Sequence, residues 1–200
     1  MKLIAHRRNS LADLRATPPE YGVEVDIRSH GDRLIVNHEP FAPGPAFDDW
    51  IAEYQHGTLI LNVKEEGLED RLLADMKNRG IDDFFFLDQS FPFLLRTAAK
   101  GERRCATRVS EFESVATALA LAGKVDWVWV DCFSRFPLSR EDWRRLVGAG
   151  FRLCLVSPDL VGRVSEAEIL DQRRLLGEWG VEPDAVCVKL ARADVWTRPL

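Results

Sequence analysis

Seven polar residues in the first third of the chain carry the types and spacings that could do chemistry. His6 and Arg7 end the apolar run "LIA", Glu24 and Asp26 alternate with valines in "VEVDI", His38 follows "LIVN", and Asn62 and Lys64 alternate with aliphatic residues in "LILNVK". In an extended segment Val23, Val25 and Ile27 face one way, so Glu24 and Asp26 share the other face, roughly 6 to 7 Å apart along the strand. If the apolar side packs on helices, both carboxylates point into a sheet interior, where they repel each other and lose hydration. A hard divalent cation bound by oxygens relieves both costs. An internal ion-pair network with Arg7, Arg28 or Lys64 is the alternative. The same alternation puts Asn62, a neutral oxygen donor for such a metal, beside Lys64, which can neutralise a phosphate oxygen or pair with Glu24 or Asp26. His6 and His38 have the side chain whose ordinary pKa lies nearest neutrality, which suits a proton donor and acceptor pair. His30 and His56, in the turn-like "SHGD" and "QHGT", are read as solvated.

Elements that could position these groups run the length of the chain. Strands are expected near 3-7, 21-28, 58-64, 83-89, 104-109, 125-132, 152-157 and 184-190, with helices near 10-17, 46-55, 68-79, 91-100, 111-123, 139-149 and 166-179. Ser110 with Glu113, Ser139 with Asp142, and Ser165 with Glu168 mark helix starts. Gly80, Gly101, Gly150 and Gly180 mark helix ends. Strict alternation implies parallel strands joined by right-handed crossovers. An open doubly wound sheet usually carries a glycine-rich loop after its first strand, and here that position reads His-Arg-Arg-Asn-Ser. The expected fold is therefore α/β, a compact (β/α)8 TIM barrel forming one domain over residues 1-200. Barrel enzymes place their chemistry at the C-terminal ends of strands, where all seven residues fall.

Two hundred residues, 46% hydrophobic and 30% charged, suffice for one substantial core. A net charge of -5 and a pI near 5.5 argue against a sequence-independent nucleic-acid binder. No apolar run has the length of a signal peptide or a membrane span, so a cytoplasmic location is expected. Cys105, Cys132, Cys154 and Cys187 lack metal-site spacing and read as buried core thiols. No feature specifies an oligomeric state.

Together "IAHRR", "VEVDI" and "LIVNHEP", in that order, resemble the glycerophosphodiester phosphodiesterases and, more broadly, the phosphatidylinositol phospholipase C-like barrels. In that family an apolar strand ends in His-Arg-Gly, a Glu-x-Asp strand follows, and a further stretch ends in His. The match is specific over residues 3 to 64, extends through "FLDQSF" to residue 91, and is weak beyond. The resemblance implies a metal-dependent hydrolase of a small phosphodiester. Mg²⁺ or Ca²⁺ would be held by Glu24, Asp26 and Asn62, phosphate gripped by Arg7 and Lys64, and proton transfer carried by His6 and His38. This chain departs from the pattern at Arg8, where the family has glycine, at the short first loop, and at Asn62, where the family has a third acid. "LCLVSPD" and "VCVKLAR" replace its late signatures, with Lys189 where an acid is expected. These departures bear on glycerol recognition and on metal affinity. They leave two other readings: a non-catalytic barrel that binds a phosphate ligand, and a metal-free sugar-phosphate site built from Arg7, Arg8 and Lys64. Asp88, Gln89, Phe133, Arg135, Asp159 and Trp196 are the candidates for shaping the alcohol pocket.

Overall fold

The computed structural model describes residues 1-200. Its strands are β1 (Lys2–Ala5), β2 (Gly22–His30), β3 (Arg33–Val36), β4 (Leu59–Val63), β5 (Phe84–Leu87), β6 (Ala106–Val109), β7 (Trp127–Val130), β8 (Arg152–Val156) and β9 (Ala185–Val188). Its helices are α1 (Leu11–Arg15), α2 (Phe47–Ala52), α3 (Glu69–Arg79), α4 (Phe91–Ala99), α5 (Val115–Leu119), α6 (Arg140–Gly148), α7 (Glu166–Trp179) and α8 (Ala193–Thr197). Eight strands are parallel and lie in the order β5-β4-β2-β1-β9-β8-β7-β6. A bridge between Phe86 and Cys105 brings the two ends together. The result is a nearly closed barrel with alternating helices, the compact (β/α)8 architecture that the strand count implied.

Side-chain alternation explains the closure. Val23, Val25, Ile27, Leu59, Leu61 and Val63 face outward into a 38-residue core shared with Trp50, Leu72, Trp143 and Ile169 of the helices. The opposite faces contribute Ile4, Ile60, Phe85, Trp127, Cys154 and Cys187 to a separate 12-residue interior cluster. There the Phe85 and Trp127 rings stack with centroids 4.5 Å apart. This packing fills the lower barrel and leaves the polar residues of the same faces at the strands' C-terminal ends. All four cysteines are free and buried. No helix is long and apolar enough to cross a membrane.

Two local expectations need correction. The stretch before His38, absent from the expected strands, belongs to a β-hairpin: β2 runs beyond the barrel to His30, and β3 returns antiparallel to it, pairing Ile27 with Val36. Gly31 at its turn has a φ of 59°, a conformation that glycine adopts without strain. Ser110 and Glu113 bond each other in a turn ahead of α5, whose N-cap is Ser114. Ser165 stands at the N-cap of α7, where a helix start was expected, although its side chain makes no cap bond and Glu168 is taken by Arg163. Only Ser139 and Asp142 form the reciprocal capping box.

Candidate active site

The β2 alternation delivers both acids into the barrel, where Glu24 is 0% and Asp26 1% exposed. Pairing of β2 with β4 sets Asp26 opposite Asn62, and Asn62 donates from Nδ2 to Glu24 Oε1 at 2.7 Å. The other Glu24 oxygen accepts the Arg7 backbone N–H at 2.6 Å. Arg7 supplies that N–H from a left-handed conformation, φ 51°, which costs a non-glycine residue energy and recurs at functional sites. His6 Nε2 lies 3.8 Å from the same oxygen. Asn9, in the short first loop, donates to Asp26 Oδ2 at 2.7 Å and accepts the Asp26 backbone N–H. Arg7 Nε is 3.4 Å from Oδ2, and Lys64 Nζ is 3.2 Å from Oδ1.

Lys64 also donates to Asp88 Oδ2 at 3.0 Å. Asp88 also accepts a bond from Arg108, whose other terminal nitrogen donates to Asp131 at 2.7 Å. Asp88 is left-handed, with a φ of 59°. Asn9, Arg108 and Asp131 were not anticipated, although Arg108 and Asp131 sit at the ends of β6 and β7, where barrel chemistry resides. Arg28 joins no carboxylate: it donates to the His38 carbonyl at 2.9 and 3.1 Å and to the Lys64 carbonyl at 3.2 Å. It thereby ties the hairpin's exit to β4 and carries His38 to the rim, where His38 Nδ1 lies 2.7 Å from Glu39 Oε1.

His6, Arg7, Glu24, His38, Asn62 and Lys64 all line one cavity of about 340 Å³. Asp26 lies beneath it. Asp88, Arg108, Trp129, Asp131 and Phe133 complete much of the wall. A larger neighbouring cleft, about 680 Å³, shares Leu87, Asp88 and Arg108 with that cavity and adds Gln89, Phe91 and Phe112. Of the alcohol-pocket candidates, Asp88, Gln89 and Phe133 thus border these spaces. Asp159 and Trp196 instead bond Ser157 in the buried wall. Arg8 turns away to Asp13 on α1, so the metal-free sugar-phosphate site that counted on it loses one cation. His56 is also more than a solvated turn residue, since its Nε2 lies 3.0 Å from the Thr17 carbonyl.

Burial, reinforced by the charge of Asp26, raises Glu24 to about 7. Burial and the neighbouring Arg7 charge lower His6 to about 4, which leaves it neutral at pH 7. Burial also raises Asp88, but Lys64 and Arg108 outweigh it and hold the carboxyl below its ordinary value.

No group of three or more His, Cys, Asp or Glu side chains is arranged to hold a metal. The oxygen donors nonetheless fit a hard divalent ion when Asn62 is included. Asp26 Oδ1 and Asn62 Oδ1 are both buried without a hydrogen-bond partner. The Lys64 ammonium is near Asp26 Oδ1 but is not aligned to bond it, and buried oxygens without partners are rare. Two carboxylates and an amide oxygen match the charge of a dication, with one acid fewer than a three-carboxylate site.

No family model matches the chain, and no curated protein matches it. Among solved structures, the crystal structure of glycerophosphodiester phosphodiesterase from Agrobacterium tumefaciens str. C58 is similar, with a TM-score of 0.67 at 15% sequence identity. The likeness covers 99% of this chain and 100% of that one. From end to end, therefore, this chain has the fold of a glycerophosphodiester phosphodiesterase structure, the family that its first 64 residues resemble in sequence.

Proposed function

We propose that this chain is a metal-dependent phosphodiester hydrolase of glycerophosphodiester phosphodiesterase type, acting on a small phosphodiester. The observation that carries this reading is the convergence of His6, Arg7, Glu24, His38, Asn62 and Lys64 on one cavity at the C-terminal face of the barrel. Glu24, Asp26 and Asn62 would hold Mg²⁺ or Ca²⁺, which when bound supplies charge stabilisation to a phosphoryl oxygen. Arg7 and Lys64 neutralise the remaining phosphoryl charge, an electrostatic contribution that usually exceeds proton transfer in size. His6, neutral at pH 7, takes the proton of the attacking hydroxyl, from water or from the substrate itself. His38, whose ring is oriented by the Glu39 carboxylate at 2.7 Å from Nδ1, gives a proton to the leaving alcohol. Attack by a substrate hydroxyl yields a cyclic phosphate, so hydrolase and lyase outcomes share this arrangement. The neighbouring cleft has room for the alcohol. We further take residues 1-200 as one barrel domain working in the cytoplasm, a reducing compartment that suits four free cysteines.

One observation favours a second reading, a non-catalytic or metal-independent phosphate-binding barrel. The acids already have internal partners in Lys64, Arg7, Asn9 and Asn62. Phosphorus NMR of glycerophosphodiesters incubated with the protein separates the two. The hydrolase reading expects a phosphomonoester or cyclic phosphate to accumulate with Mg²⁺ or Ca²⁺ and to vanish in chelator. Ester binding without turnover under either condition supports the second reading instead.

A further inference from the structure

Lys64 stands between two carboxylates. Its Nζ is 3.0 Å from Asp88 Oδ2, in a directed hydrogen bond, and 3.2 Å from Asp26 Oδ1, which has no hydrogen-bond partner. An ammonium has three donors and is free to aim one at each acid. Here the aligned bond goes to Asp88, and the deeper oxygen has the ammonium 3.2 Å away without an aligned hydrogen bond. Asp88 is fixed in that position by Arg108, itself anchored on Asp131, and by a backbone held at a φ of 59°. Aspartate tolerates that conformation better than most non-glycine residues, and the bonds to Lys64 and Arg108 hold the side chain in place.

From this geometry we infer that Asp88 is a positioning residue for the metal site: it draws the Lys64 ammonium aside so that Asp26 Oδ1 stays available to a divalent cation. The inference rests on the metal-dependent reading above. Without Asp88, Asp26 is the one carboxylate left to Lys64, and their existing 3.2 Å ion pair would tighten into an aligned bond that competes directly with the incoming ion. With Asp88 in place, Lys64 keeps its bond to that carboxylate and stands in reach of a phosphate oxygen. Asp88 reaches the metal site only through the lysine, so its effect depends on Lys64 being present.

The test is a double-mutant cycle read by calorimetric titration of Ca²⁺ or Mg²⁺, with no substrate and no turnover. Circular dichroism confirms that each variant is folded. Asp88→Asn should weaken divalent binding roughly tenfold, the size expected for residues in direct contact. Lys64→Met should tighten it. In the Lys64→Met background, adding Asp88→Asn should change affinity little, and Asp88→Glu in the wild-type background should retain most of it. Equal weakening by Asp88→Asn with and without Lys64 would reduce Asp88 to a remote negative charge and overturn the inference. So would unchanged affinity in the single Asp88→Asn variant, which would leave Asp88 as a fold-stabilising partner of Arg108. If the wild type binds no divalent ion at all, the metal-dependent reading itself fails, and the inference falls with it.

Discussion

Alanine at either His6 or His38 lowers turnover of an alkyl phosphodiester by roughly 10² to 10⁴, and only the His38→Ala enzyme recovers when the leaving group is an activated phenol. The two histidines stand in different surroundings. His6 ends β1 beside Glu24, is held neutral near pH 7 by burial and the Arg7 charge, and therefore suits proton acceptance. His38 arrives on the hairpin exit, is fixed by Arg28, and has a carboxylate 2.7 Å from Nδ1, which suits proton donation. An alkoxide leaves only with a proton, whereas a phenolate leaves without one. Loss of the donor should therefore matter on the first substrate and nearly disappear on the second. Removal of the acceptor should cost rate on both. Steady-state rates on paired alkyl and aryl esters decide the matter. Equal losses on both esters would assign the histidines a shared binding role, and recovery by His6→Ala alone would reverse their assignments.

Replacing Glu24 by glutamine should have opposite effects on activity and on the stability of the metal-free protein. With Mg²⁺ or Ca²⁺ present, turnover should fall by about 10² to 10³, the scale for losing one electrostatic element of a phosphoryl site. In chelator, the folded-state pKa of Glu24 stands near 7, above the ordinary carboxylate value of 4.5. The folded state then binds the proton more tightly than the unfolded state does. Between about 4.5 and 7 stability therefore falls as pH rises, and above that window the whole penalty is present. Glutamine has no such penalty and can still accept the Arg7 N–H. Its melting temperature in chelator should accordingly exceed that of wild type at pH 8 by several degrees, at about 2 to 4 °C per kcal/mol for a chain of this size, and the advantage should shrink by pH 5. Adding Ca²⁺ should favour wild type again, because a ligand stabilises only the protein that binds it. A glutamine variant less stable than wild type by the same amount at both pH values would mean that Glu24 is comfortably ionised without a cation.

Much of this site was legible in the sequence because β-strand geometry is local. The period-two alternation in "VEVDI" and "LILNVK" specifies which side chains share a face, and the barrel's closure then makes that face the interior. Five of the six cavity-lining residues that carry the proposed chemistry lie on or directly after three strands, so placing those strands placed the residues. His38 was assigned to the correct rim, although the route to it, a hairpin arm tied by Arg28 to the His38 and Lys64 carbonyls, depends on pairing between distant segments. The Asp88, Arg108 and Asp131 network was harder to see, since each residue comes from a different strand end and no sequence spacing connects them. Their common position at the C-terminal ends of β5, β6 and β7 was the available signal. The helix beginnings divided similarly: serine followed three residues later by an acid formed a full capping box at Ser139, but at Ser110 the same pattern closed a turn instead. Which outcome prevails depends on what packs behind the segment, and local sequence does not contain that.

The most direct measurement of the central claim is a crystal structure of the protein soaked with Mn²⁺, a Mg²⁺ and Ca²⁺ surrogate with a strong anomalous signal. The metal-dependent reading predicts an anomalous peak bridging Glu24 and Asp26, with the Asn62 amide oxygen turned toward it and Lys64 retained on Asp88. An interior without a peak, with Lys64 bonded to Asp26 at Mn²⁺ concentrations well above those in cells, would contradict it and leave the acids as partners of an internal ion-pair network.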